Sequence, residues 1–286
     1  MFKKMKQGLS QLSQKSTWLP SIVIVLVAVL LLLPQLTSRG VIAGSDFLFH
    51  YNRFYETAMQ IKTGNFSYFM SLYGFYSSGR IVNALYGPYF AYFQGILVLI
   101  SKNWYTYQLL SRFLLSVIAG FSMYRLNRRA SVKTKIALGV AVFYMMTFSV
   151  QYWTFRQGFS SWGAAFMPWC LIPAVDFVRT KRVEVLRLAV SVAVMMQVHM
   201  LSCFLLILAY LPFYLYGFFK SDKKKEVFFK GVQAVLLSLL LTANVWAALV
   251  VVGQSNNLVE PFVNSKLYIM TVNPVSYTHL TLPTIA

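Results

Sequence analysis

Charged residues, and acidic ones above all, are scarce in this sequence. Only seven of the 286 residues are Asp or Glu, against 26 Lys and Arg, and charged residues make up 12% of the chain. A soluble domain of this size could not hide the 58% of its residues that are hydrophobic. This composition excludes an ordinary soluble protein and predicts an integral membrane protein with several crossings.

Cysteine is also nearly missing, since the chain has only Cys170 and Cys203. Both lie in apolar stretches and lack the spacing of a metal site, so we expect two small buried side chains. No phosphate-binding loop, dinucleotide fingerprint or H-E-x-x-H motif occurs. The sequence therefore specifies no cofactor, although a divalent metal stays possible.

The net charge of +19 would suit a nucleic-acid partner, but the placement of the basic residues argues against one. They gather in four short strips between apolar stretches, near 3–15, 125–135, 179–187 and 220–230. Cytoplasmic loops of membrane proteins carry such an excess, and anionic lipid headgroups attract it. We expect all four strips, and the N-terminus, to face the cytoplasm of a bacterium.

The apolar stretches predict an all-α transmembrane bundle with seven spans. The first is long and lacks an obvious cleavage site, so we interpret it as a retained helix rather than a signal peptide. The segment 85–101 contains Gly87-Pro88 and many aromatic residues, which favours an interfacial or re-entrant helix; if it crosses, the count is eight. An external loop, 37–103, then carries amphipathic juxtamembrane helices. The predicted spans are 18–36, 104–124, 136–154, 161–178, 186–199, 201–218 and 230–252.

The stretch "GSDFLFHYNRFYE" opens this external loop. On a helical projection of about 100° per residue, Asp46, His50 and Arg53 share one face, while Glu56 falls away from it. We predict an amphipathic helix over 46–62 on the membrane surface, capped by Ser45 and ended by a glycine at position 64. A carboxylate here can act as a general base, with the histidine and arginine orienting it or holding phosphate. The alternative is an ordinary solvated polar face.

Two other external residues are candidates for the same site. Arg156, in "WTFRQGFSSWG", could bind a lipid-linked phosphate or anchor the chain among headgroups. His199, in "MQVHMLS", could line the cavity or serve in packing. The stretch 186–218 is too long for one crossing, so we expect two short helices that turn near this histidine.

Two linked stretches, "GSDFLFHYNRF" and "TGNFSYFMSLYGFYSSGRIVNALYGPYFAYF", carry a family resemblance. A first span followed by an external loop with an early Asp resembles the GT-C superfamily of membrane glycosyltransferases. More narrowly, residues 18–200 look like the bacterial YfhO-like proteins and those labelled 6-pyruvoyl-tetrahydropterin-synthase-related. Their G-x-D-x-x-x-H-x-x-R pattern and Tyr-Gly-Pro-like helix entry match Gly44, Asp46, His50, Arg53, Tyr86, Gly87 and Pro88.

The resemblance implies a transferase that uses a polyprenyl-phosphate sugar as donor. The acceptor would be an envelope glycan or lipid polymer at the outer face of the bacterial cytoplasmic membrane. Asp46 would be the catalytic base with His50 beside it, and Arg53, Arg156 and His199 would lie near the substrate phosphate. The sequence departs from the pattern in lacking a second acidic partner for the aspartate, which leaves metal dependence open.

Two other function classes stay open at this point. A transporter or flippase needs polar groups deep in several spans, and Arg112, Gln197 and Asn244 are few. A non-catalytic scaffold for envelope assembly is the other. We divide the chain into a GT-C-like module, 1–252, the start of an external segment, 253–274, and a tail, 275–286. The tail "VSYTHLTLPTIA" resembles a translated sequencing adapter, which predicts a truncated fragment that need not be active.

Overall fold

The computed structural model describes residues 18–255 of the chain. Within that range the protein is nearly all helical, and its only strand-like pairing is an isolated bridge between Met70 and Ile81. The predicted all-α class is confirmed for this part. The first basic strip and the predicted tail at 275–286 lie outside the described residues, as does nearly all of the 253–274 segment.

Twelve α-helices follow one another along the described range, and two short 3₁₀ turns, Phe75–Ser77 and Asn83–Leu85, interrupt the loop between the third and the fourth. The helices are α1 Leu19–Leu30, α2 Leu33–Ser38, α3 Phe47–Thr63, α4 Pro88–Ser101, α5 Trp104–Arg129, α6 Thr134–Met145, α7 Phe148–Arg156, α8 Ser160–Thr180, α9 Val185–Val198, α10 Met200–Phe219, α11 Lys224–Leu241 and α12 Ala243–Ser255. The chain divides into two compact units, with the boundary between residues 245 and 246. Helix α12 therefore begins in the first unit and ends in the second.

Five segments of the described chain are long and apolar enough to cross a membrane, and six if the bent pair α11–α12 counts as one. They coincide with six of the seven predicted spans. The remaining one, 186–199, is the 14-residue helix α9. It rises about 21 Å, less than the roughly 30 Å of a bilayer core. Helix α4, which we predicted not to cross, has the same length. Residues 18–255 therefore hold five or six membrane-length segments, and the counts of seven or eight are not confirmed.

Three of the four basic strips meet at one end of the bundle. Asp176 at the end of α8 pairs with Arg129 of α5 at 3.7 Å and with Arg187 of α9 at 3.8 Å. The Lys181 ammonium lies 4.7 Å from the ring centre of Tyr216, near the end of α10. Exposed ion pairs of this kind contribute little stability, but they show that these helix ends are neighbours. A small buried cluster brings α11 to the same end through Phe177, Val183 and Val227.

The predicted turn near His199 is confirmed. Helix α9 ends at Val198 and α10 begins at Met200, while His199 between them has extended backbone angles. Its Nδ1 accepts a hydrogen bond from the Ser202 backbone N–H at 3.3 Å, which caps the new helix. Cys170 and Cys203 are free and buried, as expected for small apolar side chains.

Arg112 lies inside a membrane-length helix and is nevertheless buried with several partners. Its Nε donates to the Thr154 hydroxyl at 3.2 Å, one Nη donates to the Leu31 carbonyl at 3.0 Å, and the other donates to Gln35. A buried guanidinium with these acceptors is stabilised in place, since its donors are satisfied without water. The arginine therefore ties α1 and α2 to α5 and α7.

The same network fixes the segment that leads into α3. Gln35 donates to the side-chain oxygen of Gln108 at 2.6 Å and to the Gly40 carbonyl at 3.0 Å. The Gln108 amide in turn bonds both the carbonyl and the N–H of Ile42, at 2.7 and 2.9 Å. Residues 39–43 are thus held by side chains of two helices, which sets where α3 begins.

Candidate functional site

Helix α3 begins one residue later than the sequence suggested. Its N-cap is Asp46, whereas Ser45, predicted as the cap, has a positive φ of 43° and lies within 3.4 Å of the Tyr152 hydroxyl. The Asp46 carboxylate makes no capping hydrogen bond and is exposed. The helix ends at Gly64 with a φ of 71°, as predicted, because glycine adopts the left-handed conformation without strain.

The polar face of α3 is buried inside the protein. His50, Arg53, Thr57 and Gln60 are each at most 2% exposed. The interpretation of this face as an ordinary solvated side is therefore wrong from His50 onward. Helix α4 packs directly against it, since the Thr57 hydroxyl donates to the Ala91 carbonyl at 2.8 Å. Burying these polar groups is tolerated because they find partners within the fold.

Arg53 is the centre of the buried part. Its Nε donates to the Asn83 side-chain oxygen at 3.0 Å, and one Nη donates to the Tyr86 carbonyl. The guanidinium lies 4.4 Å from the ring centre of Tyr86 and 5.6 Å from that of Phe159. Burial lowers the pKa of Arg53 to about 9, which still leaves it protonated at neutral pH. A positive charge is therefore held in an aromatic cage.

His50 shares the face with Arg53 as the helical projection predicted. Its Nδ1 lies 3.2 Å from an Arg53 Nη, and its ring stacks on Phe159 with centres 4.3 Å apart. A guanidinium can only donate, so Nδ1 accepts and the imidazole proton belongs on Nε2. Burial, then the charge of Arg53, then His199 lower the His50 pKa well below its usual value. The ring is neutral at neutral pH.

This burial predicts a pH dependence of stability. Below about pH 6.5 His50 is protonated in the unfolded chain but not in the folded one. The unfolded state therefore binds more protons, and the free energy of unfolding decreases as the pH decreases. We expect acidification from pH 7.5 to 5.5 to lower the free energy of unfolding by about 1.4 kcal/mol more in the wild type than in His50→Gln. Glutamine keeps an acceptor for Arg53 but does not titrate. Thermal unfolding at both pH values measures this, and equal losses in the two proteins would refute the assignment.

His199 joins the same cluster from the other side. Its ring centre lies 6.4 Å from those of Tyr86 and Phe159, and burial and the charge of Arg53 lower its pKa. The backbone just before α4 lies directly against the backbone near the end of α9. A Cβ on Gly87, whose φ is 65°, would come 1.9 Å from the Gln197 carbonyl oxygen, so this position needs glycine. The structure therefore brings together His50, Arg53 and His199.

Asp46 and Arg156 form an exposed layer at the same end. Both side chains are exposed, and a Cβ on Gly44, two residues before Asp46, would lie 3.2 Å from the Arg156 carbonyl oxygen, so the backbone that leads into α3 lies against Arg156. Burial raises the pKa of Tyr86, the charge of Arg53 lowers it in part, and the charge of Asp46 raises it again. All five candidates thus lie at the end of the bundle opposite the described basic strips, with Asp46 and Arg156 at the surface and the other three beneath.

Glu56 is the residue that the sequence argument missed. It is 1% exposed, and its carboxylate accepts four hydrogen bonds. Gln60 and the Leu72 N–H donate to Oε1 at 2.6 and 2.9 Å, while the N–H groups of Tyr73 and Gly74 donate to Oε2 at 2.7 and 2.6 Å. The loop after α3 folds back onto the helix because this carboxylate binds its backbone. No local signal shows this, since the donors are backbone groups.

The anchored loop presents aromatic and basic side chains beside the site. Phe75, Tyr76 and Ser77 all have left-handed backbone angles, an unfavourable conformation for residues with a Cβ. Tyr76 is 94% exposed, and the exposed Arg80 lies over the ring of Phe75 at 5.2 Å. Strain of this kind is found where the surrounding structure fixes the backbone, which is what the bonds to Glu56 do here.

The candidate site has no metal-binding cluster among the described residues, and no known protein suggests a role for it. In the described part of the chain, no three His, Cys, Asp or Glu side chains come together as a metal site would need. No family model, curated protein or solved structure matches this sequence. The function must therefore be argued from the site itself.

Proposed function

We propose that this protein transfers a sugar from a polyprenyl-phosphate donor to an envelope glycan or lipid polymer. The observation that supports this is the layered site at one end of the bundle. An exposed carboxylate, Asp46, begins the helix that holds Arg53 and His50 in a buried cage, and the exposed cation Arg156 lies against Gly44, two residues before that carboxylate. A base and a phosphate-binding cation on one surface are the groups that glycosyl transfer needs.

In the proposed step, a hydroxyl oxygen of the acceptor attacks the anomeric carbon of the donor sugar. The bond from that carbon to the phosphate oxygen breaks, and polyprenyl phosphate leaves with the bonding electron pair. Asp46 accepts the hydroxyl proton, and Arg156 stabilises the negative charge that grows on the phosphate. Arg53, His50 and His199 act as positioning residues, because they are buried or partly buried and fix α3, the loop and the α9–α10 turn.

The membrane topology that we propose places this site outside the cytoplasm. The three described basic strips lie at the opposite end of the bundle, and the positive-inside rule assigns such strips to the cytoplasm. Keeping strips 179–187 and 220–230 on one side requires α9 to cross together with α10, giving seven crossings and a cytoplasmic N-terminus. In this topology the short α9 completes its crossing with the non-helical residues at its two ends.

The purified product of the full-length gene, in lipid nanodiscs, tests the function directly. The donor is a radiolabelled pool of lipid-linked sugars extracted from membranes of the organism that encodes the protein. The acceptor is the envelope fraction of the same organism. We expect label to enter the envelope fraction while polyprenyl phosphate is released in equal amount. A transporter or flippase would move the lipid-linked sugar between leaflets and release none, and a scaffold would do neither. Absence of polyprenyl phosphate release from correctly folded protein would overturn the proposal.

A further inference from the structure

An apolar cleft opens on the side of the bundle, away from the candidate site. Its volume is about 440 Å³, within the range of roughly 300–1,000 Å³ that is usual for ligand sites. It lies between α5, α8 and α9, and two of these helices, α5 and α8, are long and apolar enough to cross a membrane. The side chains that define it are Ile118, Phe121, Phe166, Trp169 and Val194, with Arg125 at one end.

Among the described residues, only one charged group lines this cleft. Arg125 is exposed and takes part in none of the ion pairs of the described residues. Ser122, the other polar residue of the lining, donates its hydroxyl to the Ile118 carbonyl at 2.5 Å and is satisfied by its own helix. The cleft therefore offers an apolar surface along its length and a single cation at one end. This combination matches a ligand that has an apolar chain and an anionic end.

The charge around Arg125 selects the sign of that ligand's polar end. This arginine belongs to a basic strip that also contains Arg128 and Arg129, and the neighbouring helix ends add further cations. The nearby carboxylate of Asp176 is already shared by Arg129 and Arg187. The local field is therefore positive, and it attracts a phosphate that carries no compensating amine.

We propose that this cleft binds one anionic phospholipid, with an acyl chain along the apolar walls and its phosphate on Arg125. The lipid's position at a helix end, where headgroups meet the bundle, places the phosphate at the depth of this guanidinium. A zwitterionic headgroup brings its own cation close to the basic strip and is disfavoured by like-charge repulsion. This site is independent of the proposed transfer reaction and lies on a different part of the protein.

Native mass spectrometry of the purified whole chain in detergent tests the site, with phosphatidylglycerol and phosphatidylcholine as probes at equal concentration. We expect phosphatidylglycerol to bind more tightly to the wild type. Arg125→Gln is expected to weaken phosphatidylglycerol binding about fivefold and to remove most of the preference, while Arg125→Lys keeps it. Lys135→Gln, which removes one exposed basic charge away from the cleft, serves as the matched control and should leave both affinities unchanged.

A second variant tests the apolar part of the site. Val194→Trp fills the cleft from α9, so we expect it to weaken binding of both lipids even though the charge is intact. Thermal unfolding confirms that each variant is folded. The proposal is overturned if the wild type binds both lipids equally, or if Arg125→Gln behaves like Lys135→Gln. It also fails if Val194→Trp, folded as the wild type is, binds phosphatidylglycerol unchanged.

Discussion

Asp46→Asn is expected to lower the rate of sugar transfer by at least about 100-fold, the smaller end of what a general base contributes. Asparagine has the same shape as aspartate, but it cannot accept the proton of the attacking hydroxyl at neutral pH. This expectation rests on the proposed function. It also depends on the place of the carboxylate, at the start of α3 and exposed to an incoming acceptor.

The same substitution should leave the stability of the protein almost unchanged. The Asp46 carboxylate is exposed and makes no capping hydrogen bond, and asparagine is as good an N-cap residue as aspartate. The loss of rate should therefore appear in turnover rather than in folding. This separates Asp46 from its neighbours Arg53 and His50, whose replacement disturbs a buried network.

Transfer by Asp46→Asn is measured as polyprenyl phosphate released in nanodiscs, alongside the thermal unfolding midpoint. Asp222→Asn is the matched control, since it removes a carboxylate that is also exposed but lies at the opposite end of the bundle. Wild-type release by the Asp222 variant, together with loss in the Asp46 variant, supports the base assignment. If the folded Asp46 variant releases polyprenyl phosphate at the wild-type rate, Asp46 is not the base, whether or not the protein is a transferase.

Sequence periodicity was enough to find α3 and the alignment of His50 with Arg53. Both follow from a repeat of about 3.6 residues, which is a local property of the chain. The direction in which that face points is not local. It depends on Asn83, Tyr86 and Phe159, which come from a loop and from the turn before α8. A helical projection shows that two faces differ but not which one the rest of the protein covers.

The crossings illustrate a second limit. Long runs such as 104–124 were located correctly because a mainly apolar stretch of about twenty residues has few alternatives to a membrane-length helix. The run 186–199 was predicted as a span although it holds only 14 residues before the predicted turn at His199, and α9 has that same length. Hydrophobicity records the environment of a segment, but a helix of about 21 Å is shorter than a bilayer core, so hydrophobicity alone does not make it a crossing.

Glu56→Gln is expected to release the loop between α3 and α4 from the helix. The glutamine side chain has nearly the same size, so no cavity forms, but its NH₂ group replaces one carboxylate oxygen. Whichever of the two oxygens is replaced, a charged acceptor becomes a donor that faces N–H groups. Oε2 accepts from Tyr73 and Gly74, and Oε1 accepts from Leu72 and Gln60. Two buried donors lose their acceptor, at a cost of about 1–3 kcal/mol each.

The effect should reach the candidate site through the loop. Asn83 and the Tyr86 carbonyl, which accept from Arg53, lie in the same loop, nine and twelve residues beyond the last anchored N–H group, that of Gly74. If the loop opens, the guanidinium loses acceptors while it is still buried, and this adds to the loss of stability. We therefore expect the variant to unfold at lower temperature and to transfer sugar more slowly, in contrast to Asp46→Asn.

Hydrogen exchange followed by mass spectrometry distinguishes local release from a general loss of stability. We expect peptides that contain Leu72, Tyr73 and Gly74 to exchange at least about tenfold faster in Glu56→Gln, the factor that corresponds to about 1.4 kcal/mol. Peptides of α5 and α8 should change far less, because their packing does not involve the loop. Glu184→Gln, at an exposed carboxylate, is the control. If the two variants exchange alike over residues 72–74, Glu56 does not hold the loop, and the cage around Arg53 is maintained by its own hydrogen bonds and aromatic contacts.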